Sequence, residues 1–140
     1  EDRVVGSVFT VVNTSLTVLA GLSGWDTPCV IEKDVPMLMW SNHMHDKGAA
    51  AQTTLTIDGE DLLLKEDPQW NYEWASNPNF QKFTVDSPFV IPAGSEIKTH
   101  CSFDNTAGAI DFPDEMCVFF GFHRGGGDVL CVDGVFAAGN

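Results

Sequence analysis

The sequence predicts an all-β chain, folded as an antiparallel β-sandwich of jelly-roll type with about eight or nine strands. Three observations carry this. Short apolar runs rich in Val, Thr, Ile and Phe recur along the whole chain and alternate as half-buried strands do. Gly, Pro and Asp pairs punctuate them at intervals of roughly ten residues. No segment carries the apolar repeat of a long helix, and no internal repeat or linker interrupts the pattern. The length of 140 residues suits a single domain, residues 1–140, with one real core. The apolar share of 44%, with ten Phe and four Trp, is enough to fill it.

Residues 4–22 alternate partly and read as strand. Residues 35–45 form a strongly apolar strand that Lys47-Gly48 breaks. Residues 53–57 and 61–64 flank Asp58-Gly59, a strong hairpin signal. Residues 69–74 alternate aromatic and polar side chains, and residues 80–85 read as a further strand. Phe89-Val90-Ile91 is a short strand ended by Pro92-Ala93-Gly94. Residues 96–103 follow as strand and residues 104–114 as loop. Residues 116–123 are apolar and aromatic, Arg124-Gly125-Gly126-Gly127 turns the chain, and residues 129–136 close it. The Ala137-Ala138-Gly139-Asn140 tail reads as a frayed end.

Twenty acidic residues against seven basic ones leave a net charge of −13. Nucleic acids and anionic membrane surfaces need basic patches, so the charge argues against both as partners. No apolar run is long enough to span a bilayer. The chain starts at Glu1 without Met or a signal peptide, the pattern of a mature or trimmed chain whose export signal has been removed. Four cysteines, Cys29, Cys101, Cys117 and Cys131, form no CxxC pair. An even count without zinc spacing favours two disulfides in an oxidising compartment, secreted or periplasmic. Four cysteines allow three pairings. Cys101 and Cys117 flank a turn-rich segment and read as a local bridge. Cys29 with Cys131 would then tie the early and late parts together.

The chemistry-bearing residues are few. His43-Met44-His45 ends an apolar strand, so both imidazoles point to one face and reach one metal together. Met116 lies in Asp114-Glu115-Met116-Cys117. Thioether is a soft ligand that selects copper(I), and imidazole suits copper in both oxidation states. Alone, a His-x-His pair is often surface or core, and a single Met is more often core filler. Zinc would need Asp46, Glu115 or another carboxylate, because bridged cysteines are lost to it and Met serves it poorly. His100 is a further candidate ligand: were Cys101 and Cys117 to face each other on neighbouring strands, His100, Ser102, Met116 and Val118 would share the other face. A surface histidine beside a disulfide is the plainer reading of His100. His123 precedes a glycine run and reads as an exposed strand end.

Other chemistries lack their motifs. No Walker loop or dinucleotide-binding glycine fingerprint is present, and nothing marks a nucleophile elbow. Asp111, Asp114 and Glu115 offer a carboxylate pair or calcium cluster without EF-hand spacing. Asn13-Thr14-Ser15 is a glycosylation sequon.

Taken together, His43-Met44-His45, Cys101-Ser102-Phe103-Asp104-Asn105-Thr106 and Asp114-Glu115-Met116-Cys117 give the chain a family likeness. It resembles the C-terminal catalytic domain of the copper type II, ascorbate-dependent monooxygenases, the family of the peptidylglycine α-hydroxylating and dopamine β-monooxygenases. Trp70-Asn71-Tyr72-Glu73-Trp74 and Ile91-Pro92-Ala93-Gly94 also fit, and the likeness runs from about Cys29 to Cys131. It implies a β-sandwich with Cys101–Cys117 and Cys29–Cys131 bridges. It also implies one copper on His43, His45 and Met116 that activates dioxygen for C–H hydroxylation.

Two departures narrow that expectation. Family enzymes hold a second copper on three histidines in another domain. Of the four histidines here, only His100 and His123 remain once His43 and His45 are set aside, so that site is not in this chain. Ser41 stands where the peptide-specific member has an Arg for the substrate carboxylate, and Val118 and Phe120 stand where it has Asn and Tyr. The expectation is therefore a single-domain copper protein acting on a small molecule with O₂ or peroxide and an external reductant or redox partner. A non-catalytic copper-binding or electron-transfer module is the first rival, and a metal-free interaction module the second.

Overall fold

The computed structural model describes residues 6–139. Thirteen strands are found there: β1 (Gly6–Val12), β2 (Thr17–Val18), β3 (Gly21–Val30), β4 (Val35–His43), β5 (Gly48–Ile57), β6 (Glu60–Asp67), β7 (Gln81–Lys82), β8 (Phe89–Ile91), β9 (Glu96–Asn105), β10 (Ile110–Asp111), β11 (Val118–Arg124), β12 (Val129–Val132) and β13 (Val135–Ala138). One 3₁₀ turn, Tyr72–Ala75, is the sole helical element among the described residues.

The strands form a β-sandwich. Seven make one sheet, in the order β13-β12-β1-β11-β4-β7, with β8 beside the start of β4. Four make the facing sheet, β3-β9-β5-β6, and β2 pairs with β10 apart from both. Pairing is antiparallel except for β1 with β12, which run parallel.

The strand count exceeds the expected eight or nine for three reasons. Two-residue strands such as β2, β7 and β10 are too short to show alternation. The closing segment is split into β12 and β13 by Asp133-Gly134, both at positive φ, so Ala137 and Ala138 of the expected loose tail are paired. And β3 runs through a segment that Gly21, Gly24 and Pro28 disguise. β3 is an edge strand paired only with β9, so the missing Pro28 N–H breaks no central ladder. The aromatic run at 69–74 is also not a strand. Asn71 Oδ1 accepts the Glu73 N–H and turns the chain into the 3₁₀ segment. Val4 and Val5, expected to begin the first strand, and Asn140 of the tail lie outside the described residues.

Alternation decides what each strand buries. On β9, Ile97, Thr99, Cys101, Phe103 and Asn105 point inward, while Glu96, Lys98, His100 and Asp104 are exposed. One core gathers Phe9, Val11, Ile31, Met37, Trp40, Leu55, Ile97 and Phe119 between the sheets. A second gathers Leu16, Val18, Met44, Trp70, Phe103 and the Cys101–Cys117 bridge. Trp40 centres the first, with Phe83, Phe89 and Phe119 rings at 4.8, 5.1 and 5.8 Å. Its Nε1 donates across the sandwich to the Leu64 carbonyl.

The Cys29–Cys131 disulfide staples β3 to β12 across the sandwich, and Cys101–Cys117 ties β9 to the residue just before β11. They close separations of 102 and 16 residues, worth roughly 5 and 3 kcal/mol in the chain-entropy model.

A single extra residue in β4 decides where the histidines point. Phe122 opposes Met39 but His123 opposes Met37, so Leu38 is bulged out of the β4–β11 ladder. Before it, Val35 and Met37 face the core; after it, Trp40, Asn42 and Met44 do. A one-residue shift moves every later side chain to the opposite face. Met39, Ser41, His43 and His45 are thereby turned to the outer side of the seven-stranded sheet. Met44, fully buried between the two histidines, pins the strand end to the second core.

Candidate metal centre

His43 is the last residue of β4 and lies opposite Val118 on β11. Met116 precedes Val118 by two residues, just before the strand, and lines a groove together with His43 and Val118. The His43 and His45 rings meet edge to face, with centroids 5.1 Å apart. His43 belongs to two adjoining grooves. One, of about 470 Å³, is lined by His43, His45, Asn71, Tyr72, Glu73, Ala75 and Ser76. The other, of about 440 Å³, is lined by Thr10, Val12, His43, Ala75, Pro78, Met116, Val118 and Phe120. His43 and Ala75 stand on the divide, with His45 on the polar side and Met116 on the apolar side.

The ring nitrogens are prepared differently. Nδ1 of His45 lies 2.8 Å from the Asp114 carbonyl. A carbonyl only accepts, so Nδ1 carries the proton and Nε2 keeps its lone pair outward. This is the backing that a metal-binding imidazole typically has. Burial, and then the neighbouring His45, lower the His43 pKa to about 4, so His43 is neutral, the ligating form, well below neutral pH.

Two residues whose structural role sequence reasoning did not foresee hold this end together. Glu115 is fully buried. Its Oε1 accepts the His45 N–H at 2.5 Å and the Met116 N–H at 3.0 Å, and its Oε2 accepts the Lys47 N–H at 3.0 Å. Trp70 donates its indole N–H to the His45 carbonyl at 3.0 Å. That carbonyl also takes the Gly48 N–H, closing the turn after the strand. The Asp-Glu-Met-Cys run was the available signal for Glu115, and the Trp70-Asn71-Tyr72-Glu73-Trp74 run that for Trp70.

The remaining candidates do not join. His100 opposes Asp26 on the outer face of the four-stranded sheet, with Nδ1 2.6 Å from the carboxylate. The Cys101–Cys117 bridge runs from β9 to the residue just before β11, not between neighbouring strands of one sheet. Residues next to each cysteine therefore point to opposite outer surfaces, and His100 is turned away from Met116. His123 is not an exposed strand end. It is buried, with Nε2 2.9 Å from the Gly127 carbonyl and Nδ1 3.3 Å from that of Arg124. The glycine run folds back over it and brings these main-chain oxygens to the ring.

The acidic residues are likewise occupied elsewhere. Asp111 accepts the Thr17 hydroxyl, and Asp46 pairs with Lys47 at 3.7 Å. Among the described residues, no three His, Cys, Asp or Glu side chains gather as a metal cage. Among the side chains that share a groove with His43, Met116 offers a thioether and Glu73 a carboxylate.

Among the described residues, no helix is long and apolar enough to cross a membrane. Comparison with known protein families finds no family model that matches the chain, and comparison with curated proteins finds no match.

Proposed function

We propose that this is a mononuclear copper protein of the copper type II monooxygenase kind, with the metal held by His43, His45 and Met116. The observation that carries the reading is the backing of the two imidazoles. His45 is fixed with Nε2 free, His43 is kept neutral by burial, and His43 belongs both to the groove that His45 lines and to the adjoining one that holds the Met116 thioether. Bound there, copper supplies one-electron redox chemistry and a coordination position for dioxygen or peroxide. The protein's own residues do the rest. The Asp114 carbonyl orients His45, and Met44 anchors the strand end.

The apolar groove supports a small uncharged substrate. No charged side chain is among the residues lining it. Phe80 meets Phe120 edge to face at 5.6 Å and extends its aromatic wall. With Ser41 buried and Val118 and Phe120 on this face, nothing in the groove recognises a carboxylate, which argues against a peptide terminus. The disulfides fit a secreted or periplasmic setting.

Copper titration followed by EPR and X-ray absorption tests this. One equivalent with two imidazoles in the oxidised state and a sulfur scatterer in the reduced state is expected. A site without sulfur scattering overturns the Met116 assignment, and no stoichiometric binding overturns the reading.

A second reading, a copper-binding or electron-transfer module without turnover, is favoured by one observation. His100 and His123 lie apart from each other and from the site, so this chain has no further histidine cluster for a reservoir copper. Substrate-dependent O₂ or peroxide consumption with a small reductant decides for the monooxygenase reading; tight copper(I) binding without turnover decides for the module.

A further inference from the structure

Among the described residues, Glu115 has no partner of opposite charge. The ion pairs among the described residues are Lys47–Asp46, Lys65–Asp67 and His100–Asp26, and Glu115 is in none. Both its oxygens act as acceptors, from three backbone N–H groups. A carboxylate taken out of water is costly unless it is paired or hydrogen-bonded, and satisfying a short turn does not by itself require one. The three donors are informative. They belong to His45, to Lys47 two residues on, and to Met116. One buried side chain thus ties the turn that carries one imidazole to the backbone that carries the thioether.

We propose that Glu115 is the positioning residue of the metal site, fixing His45 against Met116 and setting a buried negative charge behind the metal. The charge part rests on the copper reading above; the clamp does not. A fixed anion one hydrogen bond behind a ligand residue favours the more positive oxidation state, because a carboxylate buried as Glu115 is has its charge little screened by water. Glu115 therefore holds copper(II) relative to copper(I), offsetting the preference of the Met116 thioether for copper(I).

Glu115→Gln tests it. The substituted amide has one acceptor oxygen and an NH₂ group facing N–H donors. In the metal-free protein, hydrogen exchange at the His45 and Lys47 amides should quicken about tenfold or more, while amides in the β3–β9 ladder keep their rates. In the copper-loaded protein, the ratio of copper(I) to copper(II) affinity should rise about tenfold, or about 59 mV for a one-electron couple. Glu115→Asp keeps the charge and shortens the arm. It should quicken the same amides yet hold the affinity ratio within about twofold, and it decides the matter if the Gln variant does not fold. Unchanged exchange at both amides overturns the clamp. A ratio unmoved by Gln, or moved equally by Asp, overturns the charge effect. Quickened exchange in a protein that binds no copper upholds the clamp while removing the copper reading.

Discussion

The indole Nε1 of Trp70 donates to the main-chain carbonyl of His45 at 3.0 Å, although the two residues lie on different segments of chain. The bond fixes the backbone from which the His45 imidazole projects. Trp70 is itself held by its N–H to the Ala49 carbonyl and by the Trp74 ring, edge to face at 5.6 Å. Trp70→Phe keeps most of the packing and loses one buried hydrogen bond. It should cost about 1–2 kcal/mol in urea unfolding and weaken copper binding about tenfold, as loss of an outer-shell partner does. Unchanged affinity in a folded variant would separate Trp70 from the site.

Met116→Ile removes the thioether and keeps a large apolar side chain. Its stability cost should stay below about 1.5 kcal/mol. Copper(I) affinity, measured by competition with a chromophoric chelator, should fall at least about tenfold, the low end of what even an outer-shell loss costs. Equal affinity before and after would make Met116 packing alone.

The metal-free protein should lose stability on mild acidification. The folded-state pKa of His43 is lowered to about 4 from 6.5, mainly by burial and secondarily by His45. Between those values the unfolded chain binds the extra proton and the folded one does not. The contribution is therefore whole above pH 6.5, declines as pH falls toward 4, and levels off below it. His43 is only partly buried, so solvent screening holds the loss to about 1–2 kcal/mol. Urea midpoints at pH 7, 5.5 and 4 read it, and His43→Gln should flatten that part of the slope.

Gly121 is a backbone necessity of the β4 bulge. A Cβ there would collide with the Met39 carbonyl and approach the Trp40 Cα to 2.9 Å. The obstruction is main chain, so no side chain can move aside. Gly121→Ala should cost about 3 kcal/mol, the top of the overpacking range, and disturb the β4–β11 register that sets His43 against Val118. A thermal melt close to wild type would show that the bulge yields easily.

Much of the architecture is legible from local pattern, because strands with one buried face must alternate. β6, β9 and β11 read directly, as does the turn at Asp58-Gly59, both residues at positive φ. β3 does not, because its glycines and Pro28 are tolerated only by its place at a sheet edge. The outward aim of His43 and His45 was legible only as a shared face. Which face follows from the bulge at Leu38, and nothing in Met37-Leu38-Met39 marks it. The burial of His123 is hidden in the same way, since its partners are main-chain oxygens of Arg124 and Gly127, and any residue type supplies those.

The sequence by itself determined that the chain is all-β and that Cys29, Cys101, Cys117 and Cys131 are suited to two bridges, and it marked His43, His45 and Met116 as the candidate soft-metal ligands. These are properties of side-chain type and spacing, which no fold alters. Tertiary structure decided that His45 opens onto the more polar of two grooves and Met116 onto the more apolar one with His43 between them, that His100 lies on the opposite sheet, and that Glu115 is buried beneath the turn. Those outcomes depend on a one-residue shift between β4 and β11 and on disulfides that join β3 to β12 and β9 to the residue just before β11. Both are relations between segments far apart in the chain, set by packing.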